Sequence, residues 1–129
     1  MEAAKVEIRG LRELERKLKQ LEASVRKAII SEALAGAAEI VREEASRRAP
    51  KRTGTLARSI TVGPVKVEKD GASVDVGPSK EGWYGRFVET GTIKMAAKPY
   101  LRPAADENRE RVQAEFVQAV RQAIQEVRE

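Results

Sequence analysis

The chain of 129 residues contains no cysteine and no histidine. Those two absences remove disulfides, thiol nucleophiles, Cys/His zinc sites, imidazole general bases and every histidine-containing triad together. Aromatic rings are scarce, with one Trp, two Tyr and two Phe, so each ring carries a large share of any core or contact surface. No apolar run approaches the ~20 residues that span a bilayer. The opening Met1-Glu2-Ala3-Ala4-Lys5-Val6-Glu7 lacks a signal peptide's apolar stretch, so the expectation is a soluble chain made in a cytoplasm.

What is present is aliphatic surface and charge. Apolar residues make up 41% and charged residues 35%. This supplies the core of one independently folding domain, in which about two-thirds of the unfolded surface is buried, and argues against disorder. Twenty-five Lys/Arg against twenty Asp/Glu leave +5, distributed as +4 over 1–53, +3 over 54–103 and −2 over 104–129. Arg47, Arg48, Lys51, Arg52 and Arg58 follow one another with no acid among them. Such a cluster marks contact with nucleic acid or an acidic protein face. It also suits a solvated helix end, where cations favour the carbonyl pole of the dipole, and that plainer reading has the greater weight.

Val6-Glu7-Ile8 alternates as a short edge strand and stops at Gly10. Leu11, Leu14, Leu18, Leu21 and Val25 then repeat at spacings of three and four, which puts them on one helical face. Two heptads are too few for a coiled coil; a helix packed on its own domain is expected. Apolar residues continue to Ala45, and the small residues Ala33, Ala35, Gly36, Ala37 and Ala38 allow another element to come close. A helix from Leu11 to Arg48 exceeds the usual length, so a break is expected near Ser24. Pro50 ends it by disfavouring the α region at Ala49.

Pro50 to Leu56 reads as a connector with a tight turn at Thr53-Gly54 and Leu56 as its anchor. Ser59 to Val67 is β-branched, and Asp70-Gly71 is the strongest hairpin signal. With those two residues as the turn, Val67 faces Val74, Val65 faces Val76, Gly63 faces Pro78, and Lys66 lies opposite Asp75. Ile60 and Val62 have the wrong parity for that face, so Gly63-Pro64 marks a bulge where the strand changes phase. Trp83, Tyr84 and Phe87 are expected as core anchors. The stiff segment Pro99-Tyr100-Leu101-Arg102-Pro103 leads into a last helix from Ala104 to Val127, with Asp106, Glu107 and Glu110 at its positive pole. The expected fold is α+β: a single domain, with an antiparallel β-sheet and central hairpin flanked by a long N-terminal helical region and a C-terminal helix. Its segments are helical 11–48, β-rich 56–92 and C-terminal helix 104–127.

Little in the chain supports catalysis, and it is expected not to be an enzyme. No glycine loop has phosphate-binding spacing. Asp75 and Glu89 are the only candidates for paired-carboxylate hydrolysis, and a lysine across the hairpin accounts better for Asp75. A two-metal nuclease needs three or four converging acids, whereas Glu68, Asp70, Asp75, Glu81 and Glu89 are scattered. Ser59 and Ser73 have no histidine to activate them, and no motif supports a Ser-Lys pair. Glu89 has two readings of equal weight: an exposed acid at a strand end, or a carboxylate that accepts from backbone donors of the following loop or meets a neighbouring subunit's cation. Gly91 is expected to hold a backbone angle that other residues resist. No cofactor and no metal is expected.

The ordered landmarks are Ala49-Pro50 with Thr53-Gly54-x-Leu56, Ser59-Ile60, Val76-Gly77-Pro78, Tyr84-Gly85-x-Phe87-x-Glu89-x-Gly91-Thr92, and Pro99-Tyr100-Leu101-x-Pro103-Ala104. Together they resemble the small tail-component family of long-tailed bacteriophages and prophages, also called head–tail joining, neck or tail-completion proteins. The resemblance implies a sheet flanked by helices and a structural, non-enzymatic role in the virion, with assembly in the host cytoplasm. It implies a ring of identical copies, commonly six-fold, between the head connector and the tail tube or tail terminator. Such a ring meets genomic DNA only in passing, and no membrane or small-molecule substrate is involved. A head-to-tail ring needs two different complementary patches on each subunit. Arg47, Arg48, Lys51, Arg52 and Arg58, the acidic start of the last helix, and Lys94, Met95 and Lys98 are the candidate material, with loops 78–82 and 93–98 as contacts. The alternative is a small basic nucleic-acid-binding module, whose affinity falls steeply with salt.

Overall fold

Strict alternation in Ala4-Lys5-Val6-Glu7-Ile8-Arg9 produces strand β1 (Ala4–Arg9), with Ala4, Val6 and Ile8 buried and Lys5, Glu7 and Arg9 exposed. This is the expected edge strand, longer at both ends than the Val6–Ile8 alternation marked. The computed structural model describes residues 3–9, 12–51 and 54–128. The sheet is organised around β4 (Gly71–Pro78), which pairs antiparallel with β1 on one side. On its other side it pairs with β2 (Ile60–Val62) and β3 (Lys66–Glu68) in succession.

The hairpin register differs from the expected one by two residues. Glu68 pairs with Gly71, Val67 with Ala72, and Lys66 with Ser73, so Lys69-Asp70 is the turn and Val67 faces Ala72 rather than Val74. The cause is the third strand. Gly71 also pairs with Arg9, and a Cβ there would stand 2.5 Å from the Ile8 carbonyl oxygen. Glycine therefore serves close strand approach, not a left-handed turn: Gly54 and Gly91 are the only positive-φ residues among those described. Asp75 lies opposite Lys5, not Lys66. The phase change does occur. Three residues, 63–65, stand against two on β4, the Gly63 amide donates to the Asp75 carbonyl at 2.8 Å, and Ile60 and Val62 pair with Pro78 and Val76. A bulge thus returns Ile60 to the buried face.

The expected break divides the helical run into α1 (Arg12–Lys19) and α2 (Ala23–Arg48). The break falls at 20–22, where the Gln20 and Leu21 amides donate to the Lys17 and Leu18 carbonyls, slightly before Ser24. Leu14 and Leu18 are buried, Leu21 and Val25 half-buried, and α1 packs on α6 (Arg109–Arg128) and α2 within the chain. Leu11 and Gly10 lie outside the described residues. Along α2, Ala33, Leu34, Ala37, Ala38, Val41 and Ala45 are buried, and the helix packs against both β4 and α6. Small side chains make that double packing possible. Gly36 takes no part in it: it is exposed, with nothing within 4 Å of a Cβ. Ala49 is extended (ψ 139°) ahead of Pro50 and closes α2.

Beyond Gly54 the expected connector is a short helix, α3 (Thr55–Ser59), with Leu56 buried at 2% exposure as its anchor. Strand structure ends at Pro78, so the expectation of β-rich chain to residue 92 fails. Residues 80–82 form a helical turn, and α4 (Gly85–Thr90) carries the Phe-Val-Glu segment on a helix rather than a strand. The last helix is also two, α5 (Leu101–Asp106) and α6. Asn108 separates them, its side-chain amide donating to the Ala104 carbonyl at 2.9 Å, a local bond that competes with helix continuation. The core is one cluster joining the inner sheet face to α1, α2, α5 and α6, with Tyr100, Leu34, Val76 and Val120 wholly buried. No helix among the described residues is long and apolar enough to cross a membrane.

Candidate functional site

Two segments far apart in the motif meet at one carboxylate. Glu89, in the last turn of α4, accepts from the Tyr100 amide at 2.8 Å and the Leu101 amide at 2.7 Å through Oε1, and from the Arg102 amide at 3.1 Å through Oε2. These are the orphan donors at the start of α5, which no side chain of the preceding residue caps. Of the two readings of Glu89, the backbone-acceptor one describes the molecule, with its donors lying beyond the loop rather than in Thr90-Gly91-Thr92. The clasp closes the intervening segment, and three further features hold it. Lys98 donates its amide to the Val88 carbonyl at 2.7 Å, and Thr92 and Met95 exchange backbone bonds of 2.8 and 3.3 Å across a turn. Gly91 sits at φ 79°, where a Cβ would meet the Ala97 nitrogen at 2.8 Å.

Under the clasp, Tyr100 is fully buried and its hydroxyl has no hydrogen-bond partner among the described residues. Burial, then the nearby Glu89 carboxylate and Tyr84, push that hydroxyl above the ordinary tyrosine range. A raised folded-state value means that unfolded chains release the proton first as pH rises. The stability linked to neutral Tyr100 is therefore intact below the ordinary value of about 10 and declines above it, by at most about 1.4 kcal/mol per pH unit. Urea midpoints from about pH 9 to about pH 11, bracketing the ordinary tyrosine value, should fall less steeply for Tyr100→Phe than for the wild type; parallel slopes would refute the assignment.

The basic cluster is partly neutralised within the chain. Arg47 pairs with Glu44 at 2.9 Å, while Arg48 pairs with Glu44 at 3.6 Å and contacts Glu107. The acidic start of the last helix, expected as a patch for a neighbouring subunit, thus spends Glu107 on Arg48 and Asp106 on Arg109 in the same chain. Exposed pairs of this kind contribute little stability, but they lower the field a polyanion would meet. Lys51 and Arg58 are exposed; Arg52 and Thr53 lie outside the described residues.

The surface that stands out is apolar. Trp83 is 63% exposed, Ile93 fully exposed and Met95 40% exposed, so the expectation that the aromatic cluster anchors the core fails at its tryptophan. Trp83 meets Tyr84 and Phe87 edge-on at 6.0 and 6.3 Å, and the Arg86 guanidinium lies 4.7 Å from the Phe87 ring centre. Tyr84 and Phe87 are half-buried. Lys94 and Lys98 are exposed on the clasped loop beside them. Exposed Trp with Arg and Met is the composition of protein contact surfaces. Sequence reasoning named the 93–98 loop, with Lys94, Met95 and Lys98, but assigned Trp83 to the core, since a lone tryptophan among so few rings reads first as core.

Reactive groups are not gathered anywhere comparable. Among the described residues no three Asp or Glu side chains are placed to hold a metal ion, and Glu89 is committed to backbone donors. Ser59 is buried, donating to the Leu56 carbonyl at 2.7 Å, and Gly82 leaves room for it: a Cβ there would fall 2.0 Å from its oxygen. Pro50, Gly54, Pro99, Leu101 and Pro103 shape helix ends or the core.

Fold and surface together define a small α+β module with a backbone-clasped loop that carries exposed apolar side chains. The family described as "Bacteriophage HK97-gp10, putative tail-component" matches residues 12–91, well over half of the chain. The protein belongs to this HK97-gp10-like family and is a phage tail component, hence a virion protein. No curated protein and no solved structure matches it.

Proposed function

We propose that this tail component acts as one copy in a closed ring, commonly six-fold, that completes the tail and joins it to the head connector. Its partners are further copies of itself, the connector, and a tail-tube or tail-terminator protein; genomic DNA passes through the ring without being read. The role is structural and non-enzymatic, with assembly in the host cytoplasm. The observation that carries this reading is the exposure of three large apolar side chains, Trp83, Ile93 and Met95, the last two on a backbone-tied loop. Burial of such a patch contributes about 25 cal/mol per Å², and a monomer gains nothing by holding it in water. Loop 93–98 carries Ile93 and Met95 and loop 78–82 runs up to Trp83; both are the expected contacts, with Lys94, Met95 and Lys98 among them. Lys51 and Arg58, the exposed remainder of the basic stretch, face either another ring or the DNA path.

Deleting residues 94–97 should leave a folded chain, by circular dichroism and cooperative urea unfolding, that fails to restore virion assembly in a phage lacking the gene. Heads without tails should accumulate. Full restoration of infectious particles by the deletion variant would overturn the reading.

A further inference from the structure

The exposed patch has a recess to match it. Between α1, the first two turns of α2 and the β3–β4 hairpin lies an open cleft of about 910 Å³, floored by Leu14, Leu18, Ile30, Val67 and Phe116. Its size falls at the upper end of ligand clefts. Its floor belongs to the same apolar cluster as the core. The prong and the cleft lie at opposite ends of the sheet. The clasped loop sits by Ala4, at the start of β1, where Ala97 and Pro99 approach it. The cleft takes in Ile8 and Arg9 at the end of β1 and Gly71 at the start of β4. The eight residues of β4 put about 23 Å between those ends.

We infer that Ile93 and Met95 of one copy seat in this cleft on the next copy, making the repeated contact of the ring. This rests on the ring reading above and names its two surfaces. A ring requires two different patches, one accepting the other, and a protrusion and a recess at opposite ends of one sheet meet that requirement. Three of the four large exposed hydrophobic side chains among the described residues are Trp83, Ile93 and Met95, all on the prong side. The prong is also stiff. The turn bonds at Thr92 and Met95, the Lys98 tie to Val88 and the Glu89 clasp fix its backbone in the single chain, so docking forfeits little conformational freedom. The rim carries both signs, with bases outnumbering acids, so apolar fit selects the occupant. Glu15, Glu68 and Asp70 on the α1 and hairpin lips are where the flanking Lys94 lands. A second copy is the occupant because this prong is the apolar protrusion that the chain itself supplies in every neighbour.

The chain has no cysteine, which makes the contact directly testable. Full-length protein carrying both Lys94→Cys and Asp70→Cys is treated with a short bis-maleimide, and its oligomers are sized by denaturing gel and light scattering. A ladder ending at the ring number is expected, with no ladder from either single variant. Rings seen by electron microscopy without the ladder would overturn this contact and leave the ring standing. Monomers at every concentration would overturn both. Pairwise cross-linking by Lys94→Cys alone would show a two-fold contact and overturn the head-to-tail one. Ile93→Asp supplies a second measurement. Its side chain is fully exposed in the single chain, so the urea midpoint should hold while the ring is lost; a ring that persists would refute the seating.

Discussion

Replacing Glu89 with alanine is expected to lower the unfolding free energy by about 2–4 kcal/mol, because three backbone donors lose their acceptor, two of them in a part-buried place. The mechanism separates this from an ordinary surface substitution, which stays within about 0.5 kcal/mol. Among the described residues no other acceptor meets the Tyr100, Leu101 and Arg102 amides, whose positions precede any α5 carbonyl that could take them. Glu89→Gln keeps a carbonyl oxygen for two of the three bonds but exchanges a charged acceptor for a neutral one, so about half the loss is expected. Urea unfolding measures the difference. Amide hydrogen exchange locates it: Tyr100 and Leu101 should lose protection first, while the α2 amides at Leu34 and Ala38 stay slow. A Glu89→Ala protein with the wild-type midpoint would show that the clasp does not hold the loop. Because the same clasp fixes the backbone of Ile93 and Met95, the variant should also assemble poorly at temperatures where it remains folded.

What the sequence made legible was what local physics decides. Alternation found β1, three-and-four spacing found α1 and α2, Pro50 placed the end of α2, and parity alone required the bulge between Val62 and Lys66. The failures share one cause: tertiary contacts took residues whose local signals pointed elsewhere. Asp70-Gly71 reads as a turn, but Gly71 is held by the approach of β1, a strand more than sixty residues earlier. Trp83 to Val88 has strand composition, but Gly82 and Gly85 bring that segment against Ser59, Pro78 and Tyr100, and it coils. The basic stretch was visible, and Glu44, one turn back on the same helix, stood within reach of a spacing rule, but Glu107 was hidden because it lies just past α5. Of the candidate site, the motif residues were legible as a set while their common purpose was hidden. Glu89 and Tyr100 are eleven residues apart, and no spacing rule joins an acceptor to a helix start across a loop.

The same motif contains a second joint, at Gly85. A Cβ there would stand 2.5 Å from the Tyr100 hydroxyl oxygen, 2.8 Å from Leu56 Cδ1 and 2.9 Å from Pro78 Cγ. All three neighbours belong to buried residues, and proline has no rotamer with which to retreat. Gly85→Ala is therefore expected to cost about 2–3 kcal/mol through overpacking, although alanine is the better helix former by up to about 1 kcal/mol. Tyr100→Phe should do the opposite: its hydroxyl is buried without a partner among the described residues, and removing it should leave stability unchanged or raise it by about 1 kcal/mol. Combining the two is decisive, since the missing oxygen is the nearest of the three obstacles. The double variant should recover at least about 1 kcal/mol relative to the sum of the single changes, as contacting residues do. Additive effects would mean that Tyr100 does not fill the space that Gly85 leaves open. In that case the motif's aromatic and glycine positions would have to be explained by contacts outside the single chain.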